Sequence, residues 1–299
     1  MNKAAPFSLR IFVAGGDPDG LRLVERSNWT GKAIIFPRAL YPEVRGRDEF
    51  QQTGVYLLLG PRMHGEGEML YIGEGDPVRP RLDEHFARKD FWTRAVFFVA
   101  GPGNLNKAHI EFLESQLVRL AKAAKRMPLE NSNSPSEPTL SEADRADMEV
   151  FLQNILGILP VLGIHAFEQT TLDLNSKMDK TLLHCAGRGI EATGYDTPKG
   201  FLVLSGSFAA MKEVPSLKKY FPNVCEVRED LISNGVLVAQ GDKYYFTQDY
   251  TFSSPSLASS VVLARSSNGR TDWKDATGTT LKETQESLAA IVPDWDEEK

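Results

Sequence analysis

Two apolar runs, "GVYLLL" at residues 54–59 and "MLYIG" at 69–73, constrain this chain more than any other stretch. Each is short, aliphatic and carries a single tyrosine, Tyr56 or Tyr71, so each suits a β-strand. The segment between them, "GPRMHGEGE", is rich in glycine and lets the chain reverse, which makes the two runs neighbours in a sheet. Strand alternation then puts Val55 and Leu57 on one face and Tyr56 and Leu58 on the other. After "GEGDPV" the periodicity turns helical, with Asp76 as the expected cap and Pro77 at the first helical position. Arg81 and His85 are four residues apart and share a face of that helix, while Leu82 and Phe86 take the apolar face beside it.

Around this centre the pattern predicts further elements. "SLRIFV" and "KAIIFP" read as strands, with "DPDG" as a turn between them, and "AVFFVA" at 95–100 as another strand. "NLNKAHIEFLESQLVRLAKAAKRM" is an amphipathic helix whose Leu105, Ile110, Leu113, Leu117, Leu120, Ala121 and Ala124 fall on one face. Glu114 stands at the edge of that face and Glu111 points further out. A carboxylate in that position costs desolvation energy unless a cation or donors compensate it, so Glu114 is a metal candidate or half of an ion pair. "PLENSNSPSEPTLSE" reads as a linker, and Ser141 as the cap of a following helix. Beyond residue 178 the chain turns to short strands and short helices. "ATGYDTPKGFLVLSGS" and "VLVAQGDKYYF" read as hairpins, "EVREDLISNG" and "SPSLASSVVLAR" as helices, and "SNGRTDWKDATGTTL" as a terminal strand region.

Charge and composition narrow the function classes. The 299 residues carry a formal net charge of −6, which excludes a basic nucleic-acid binder as a description of the whole chain. The charge is uneven: residues 1–135 hold 19 Lys and Arg against 16 Asp and Glu, and residues 136–299 hold 15 against 24. A polyanion therefore favours the first part, and the acidic remainder suits a protein partner. Two cysteines, Cys185 and Cys225, lie too far apart for a disulfide framework or a metal motif. The longest apolar run, "ILGILPVLGI", is interrupted by Pro160 and falls short of a membrane span. No secretory signal is expected before Arg10, and the chain reads as cytoplasmic.

The tyrosine runs, the arginine and histidine four apart, and the helix bearing "FLESQL" together resemble the GIY-YIG nuclease domain. The resemblance covers about residues 52–126, with Val55 in place of isoleucine. It implies a small antiparallel sheet flanked by helices, Mg2+-dependent cleavage of phosphodiester bonds, and DNA as substrate, with RNA not excluded. Tyr56 would activate the attacking water, and Tyr71 would hold the phosphate or the water. Arg81 would neutralise the pentacovalent phosphate, His85 would assist, and Glu114 would bind the metal. Asn131 and Asn133 are the two candidates for the family's downstream asparagine. "GRGIEATGYDTPKGFLVLSGS" and "SPSLASSVVLARSSNGRTDWKDATGTTL" add a second resemblance, to bacterial proteins in which such a domain precedes an uncharacterised C-terminal domain.

Each residue also has an ordinary structural reading: core tyrosines, an Arg81–Glu114 ion pair, a surface histidine at 85. The joint occurrence of five residues in order favours the site. The expected protein is α+β. A β element occupies residues 1–50, the nuclease-like domain 51–135, a linker and helical connector 136–178, and a separate mixed C-terminal domain 179–299. The competing expectation is a non-catalytic nucleic-acid or protein binding module on an inactive scaffold of the same kind.

Overall fold

The computed structural model describes residues 6–62, 67–101, 103–131, 133–168, 181–198 and 200–291. The chain divides into two compact units, Met1–Gln169 and Thr170–Lys299. The terminal "DWDEEK" lies outside the described residues. Both units combine helices with antiparallel sheets, so the protein is α+β. Among the described residues no helix is long and apolar enough to cross a membrane.

In the first unit the order is β1 (Leu9–Ala14), β2 (Leu21–Arg26), β3 (Gly31–Pro37), α1 (Tyr41–Val44), β4 (Gly54–Pro61), β5 (Glu68–Gly75), α2 (Val78–Arg88), β6 (Arg94–Ala100), α3 (Lys107–Ala124) and α4 (Glu142–Ile158). The strands form one six-stranded sheet, β1-β2-β3-β6-β4-β5, in which every neighbouring pair is antiparallel. The β element expected over residues 1–50 therefore contributes three strands to the same sheet. β3 pairs with β6 from Gly31↔Ala100 to Pro37↔Arg94, and the sheet runs on through it. β2 was invisible in the sequence because Arg22, Glu25 and Arg26 break up the apolar signal of Leu21, Leu23 and Val24, which are buried all the same.

Alternation along β4 and β5 sorts their side chains into two cores. Val55, Leu57, Leu59, Leu70 and Ile72 pack with Ile110, Leu113 and Leu117 of α3 and with Phe151, Leu152 and Ile155 of α4. Tyr56 and Leu58 face the other way, onto Phe36, Phe50, Val78, Leu82, Trp92 and Phe97. The segment expected as a separate helical connector thus contributes α4 to the core of the first unit. Its start agrees with the sequence, since the Ser141 hydroxyl accepts from the Asp144 amide at 3.1 Å.

The start of α2 differs from expectation. Pro77 holds the cap position without a side-chain bond, and the Asp76 carboxylate instead accepts from the Thr53 hydroxyl at 2.6 Å. α3 is capped reciprocally: Asn106 Oδ1 accepts from the His109 amide at 3.0 Å, and His109 Nδ1 accepts from the Asn106 amide at 3.4 Å. After α3 the chain returns along the outer edge of β5. Leu70 N–H donates to the Pro128 carbonyl at 2.9 Å, and Glu130 N–H donates to the Leu70 carbonyl at 2.8 Å.

The second unit runs β7 (Leu183–Gly187), β8 (Ile190–Thr197), β9 (Gly200–Val203), β10 (Phe208–Ala210), α5 (Pro215–Tyr220), α6 (Pro222–Ser233), β11 (Leu237–Gln240), β12 (Lys243–Phe246), β13 (Tyr250–Phe252), α7 (Pro255–Leu263), α8 (Gly269–Asp272), β14 (Trp273–Lys274) and α9 (Leu281–Ile291). Two sheets result, β13-β9-β8-β7-β14 and β10-β12-β11. The two expected hairpins form, as β8–β9 and β11–β12. The expected terminal strand region is mostly turn and irregular chain around one short helix: the Asn268 side chain caps α8, and only Trp273 and Lys274 pair with β7. Arg228 of α6 is 1% exposed and ties the unit together. Its guanidinium donates to the carbonyls of Ala210 and Val261 and to Glu213 Oε1, which satisfies a charge too costly to bury alone.

Candidate active site

Tyr56 is wholly buried on the α2 side of the sheet and pairs across the strands with Gly73. A Cβ at Gly73 would strike the hydroxyl end of the Tyr56 ring. The glycine of "YIG" is thus the space in which the tyrosine of "GVY" lies. Gly54 answers to a similar demand, because a Cβ there would meet the Phe98 carbonyl of β6. Tyr71, less deeply buried on the neighbouring strand, stacks on Tyr56 with ring centroids 6.3 Å apart.

His85 enters from α2 and closes the cluster. Its Nε2 lies 2.8 Å from the Tyr56 hydroxyl, and its ring stands nearly edge-on to Tyr71 at 4.8 Å. At 5% exposure His85 is not the surface histidine of the ordinary reading. Burial, helped by the charges of Arg81 and Lys89, pushes its pKa down to about 4, so the imidazole is neutral at pH 7. Burial likewise raises the Tyr56 hydroxyl well above its usual pKa of 10, with Tyr71 adding to the rise and Arg81 opposing it. At neutral pH Tyr56 is therefore a phenol hydrogen-bonded to a neutral imidazole.

Arg81 lies one helical turn before His85. Its stem packs over Gly75, and its Nη1 donates to Glu84 Oε2 at 2.8 Å. The side chain is 48% exposed, so the guanidinium stays open to solvent. Among the described residues it pairs with Glu84 and makes no ion pair with Glu114, so the Arg81–Glu114 pair of the ordinary reading does not form. Its charge nevertheless acts on Tyr56, Tyr71 and Glu114.

Glu114 on α3 is half-buried and forms no hydrogen bond among the described residues. Burial, and next the carboxylate of Glu74, raise its pKa from 4.5 to about 7, against the pull of Lys107 and Arg81. Glu74 follows the "YIG" of β5 directly. One of its oxygens accepts from Lys107 Nζ at 2.5 Å, and the other is enclosed without a hydrogen-bond partner. Among the described residues no group of three or more His, Cys, Asp or Glu could hold a metal. A half-buried carboxylate that feels the charge of a second carboxylate with an unsatisfied oxygen fits the chemistry of Mg2+, which takes one or two carboxylates and keeps its waters.

Asn131 does not join this cluster as a reactive group. Its Nδ2 donates to the Ile72 carbonyl at 2.7 Å and its Oδ1 accepts from the Ile72 amide at 2.9 Å. The side chain thus acts as one more strand residue on the edge of β5, beside Tyr71, and Asn133 is exposed. Asn131→Ala is expected to lower stability by about 1–3 kcal/mol, read from urea unfolding, because it leaves a backbone pair unsatisfied. Lys89 was not among the site residues expected from the sequence. Its Nζ sits 4.7 Å from the Tyr71 ring centre and 2.7 Å from Glu130, a partner 41 residues away that only the return strand brings near. Glu74 was also missed, although alternation already placed it on the face that α3 covers. A broad groove of about 1390 Å3 lies elsewhere in the unit, between Phe7, Arg26, α3 and α4, and contains none of the five residues.

Residues 183–285 match the model of a family described as a domain of unknown function, DUF4357. The match covers about a third of the chain and falls within the second unit. No GIY-YIG family match accompanies it, so the reading of the first unit stands on its residues and geometry. No curated protein matches the chain, and no solved structure does.

Proposed function

We propose that the first unit is a GIY-YIG-like, Mg2+-dependent endonuclease that hydrolyses phosphodiester bonds of DNA. The observation that carries the reading is the Tyr56–His85 hydrogen bond, enclosed beside Tyr71, with an exposed Arg81 on one side and an uncompensated Glu114 on the other. An ordinary core would pair Glu114 or replace it with an apolar residue.

The chain's own groups divide the work. With Nε2 unprotonated, neutral His85 accepts a hydrogen bond from the Tyr56 hydroxyl, which holds the phenol in place and leaves an oxygen lone pair to accept a hydrogen bond from the attacking water. The Tyr71 hydroxyl, at the less buried end of the pair, orients that water or a phosphate oxygen. The planar Arg81 guanidinium offers several donors to the charge that builds on the pentacovalent phosphate. Glu114 would hold the Mg2+, whose charge stabilises the departing 3′-oxygen when bound. For the second unit, the order β10, α5, α6, β11, β12 with sheet order β10-β12-β11 is that of a winged helix. The helix that would read DNA, α6, exposes Glu229 and holds Asp230 one residue on, and that charge supports a protein partner instead.

Supercoiled plasmid incubated with the full chain tests the reading. Nicking is expected with Mg2+ and none with EDTA, and Arg81→Ala should slow it by roughly 100-fold, the scale of one lost transition-state donor. A folded wild-type protein that cleaves neither DNA nor RNA overturns the proposal in favour of a binding module on an inactive scaffold.

A further inference from the structure

We infer that Glu74 is a second metal-binding carboxylate beside Glu114, and that Lys107 holds it as an exchangeable counter-ion until the metal enters. The inference rests on the Mg2+ reading above and adds to it a ligand and a gate.

Three observations carry it. First, the elements converge. β5 turns Leu70, Ile72 and Glu74 towards α3, where Lys107, Glu111 and Glu114 succeed one another at helical spacing along one stripe. Lys107 binds Glu74 at 2.5 Å and Glu111 at 3.6 Å, so a single cation serves two carboxylates, and its charge also acts on Glu114.

Second, the pairing leaves Glu74 incomplete. Its side chain is 18% exposed, and its second oxygen is enclosed with nothing to bond. Buried polar atoms are nearly always satisfied, and each exception calls for a cause such as a bound ion. One lysine contact leaves half of this carboxylate desolvated without return.

Third, charge and flexibility agree. With Lys107 swung away, Glu74 and Glu114 supply two negative charges, which a divalent cation balances. The Lys107 side chain is 53% exposed, and a lysine ammonium on its flexible stem swings into water at little cost. Its departure would free the Glu74 oxygen it now occupies, and no backbone movement is needed.

The test is a Mn2+ titration of the full chain without nucleic acid, followed by water-proton relaxation up to millimolar metal, with circular dichroism confirming the fold of each variant. One Mn2+ per chain is expected. Glu114→Gln and Glu74→Gln should each weaken it roughly tenfold or more, the scale of a lost ligand or its support. Lys107→Met should tighten it, because the competitor for Glu74 is gone; a salt bridge that only holds the fold cannot produce that result. Unchanged affinity in Glu74→Gln, with binding lost in Glu114→Gln, overturns this inference and leaves the Mg2+ reading standing. Weaker binding in Lys107→Met overturns the counter-ion role. No Mn2+ bound by the wild type overturns both readings.

Discussion

Glu114→Gln is expected to abolish Mg2+-dependent cleavage and, in the same protein, to raise stability above pH 7. The two effects have one cause. Burial and the neighbouring Glu74 raise the Glu114 pKa from 4.5 to about 7, so ionising this group in the folded chain is unfavourable. A raised carboxylate pKa means that the folded state binds more protons than the unfolded state between those values, and stability falls as pH rises through that window. Below pH 4.5 the variant and wild type should match; above pH 7 the difference should be constant. At 1.36 kcal/mol per pH unit the full effect is about 3 kcal/mol, and solvent screening of a half-buried group brings it to about 1–2 kcal/mol. Urea unfolding in EDTA at pH 5 and pH 8 reads the difference directly. Adding Mg2+ should stabilise the wild type by mass action and leave the variant unmoved. A variant less stable than wild type at pH 8 would show that Glu114 is a structural group, and the functional reading would lose its strongest support.

The sequence revealed this residue because α3 has a clean helical period, so a single acid at the edge of its apolar stripe stands out. Tyr56 and His85 were legible in the same local way: strand alternation fixed the face of one, and i,i+4 spacing fixed the face of the other. Their hydrogen bond was not legible. It depends on how α2 lies across β4, and that follows from the close approach at Gly73 and from the packing of Val78 and Leu82 beneath the sheet. The failures share a cause. β2 is half charged, so its place in the sheet comes from pairing with β1 and β3 and not from its own pattern. Asn131 looks like a linker residue until the return strand docks on β5, where a side-chain amide satisfies a strand edge. α4 follows a stretch that reads as a linker, yet it buries Phe151, Leu152 and Ile155 against α3. Long-range pairing decided each of these, and a single sequence holds little record of it.

The Tyr56–His85 pair yields the second large effect, again with both an activity and a stability component. Tyr56→Phe removes the hydroxyl that faces Nε2 and should reduce cleavage roughly 100-fold or more, as expected for loss of a general base or its relay. It also strands a buried ring nitrogen, at a cost of about 1–3 kcal/mol. The pH dependence distinguishes the pair from any other polar contact. His85 falls from 6.5 to about 4 through burial first and the nearby cations second. A depressed histidine pKa gives stability that is present above 6.5 and lost as pH falls towards 4, the reverse of the Glu114 slope. Between pH 4.5 and 6.5 the two groups therefore oppose each other, over nearly equal ranges, and the wild type should show little net dependence from this site. Glu114→Gln should expose a stability that rises with pH in that window, and His85→Gln one that falls. The double variant should be flat again, because carboxylates elsewhere contribute alike to all four proteins and cancel in the comparison. If either single variant merely shifts the wild-type curve by a constant, His85 and Glu114 do not titrate as a buried base and an uncompensated acid. The activation of water through Tyr56 would then lose its physical basis, whatever the cleavage assay shows.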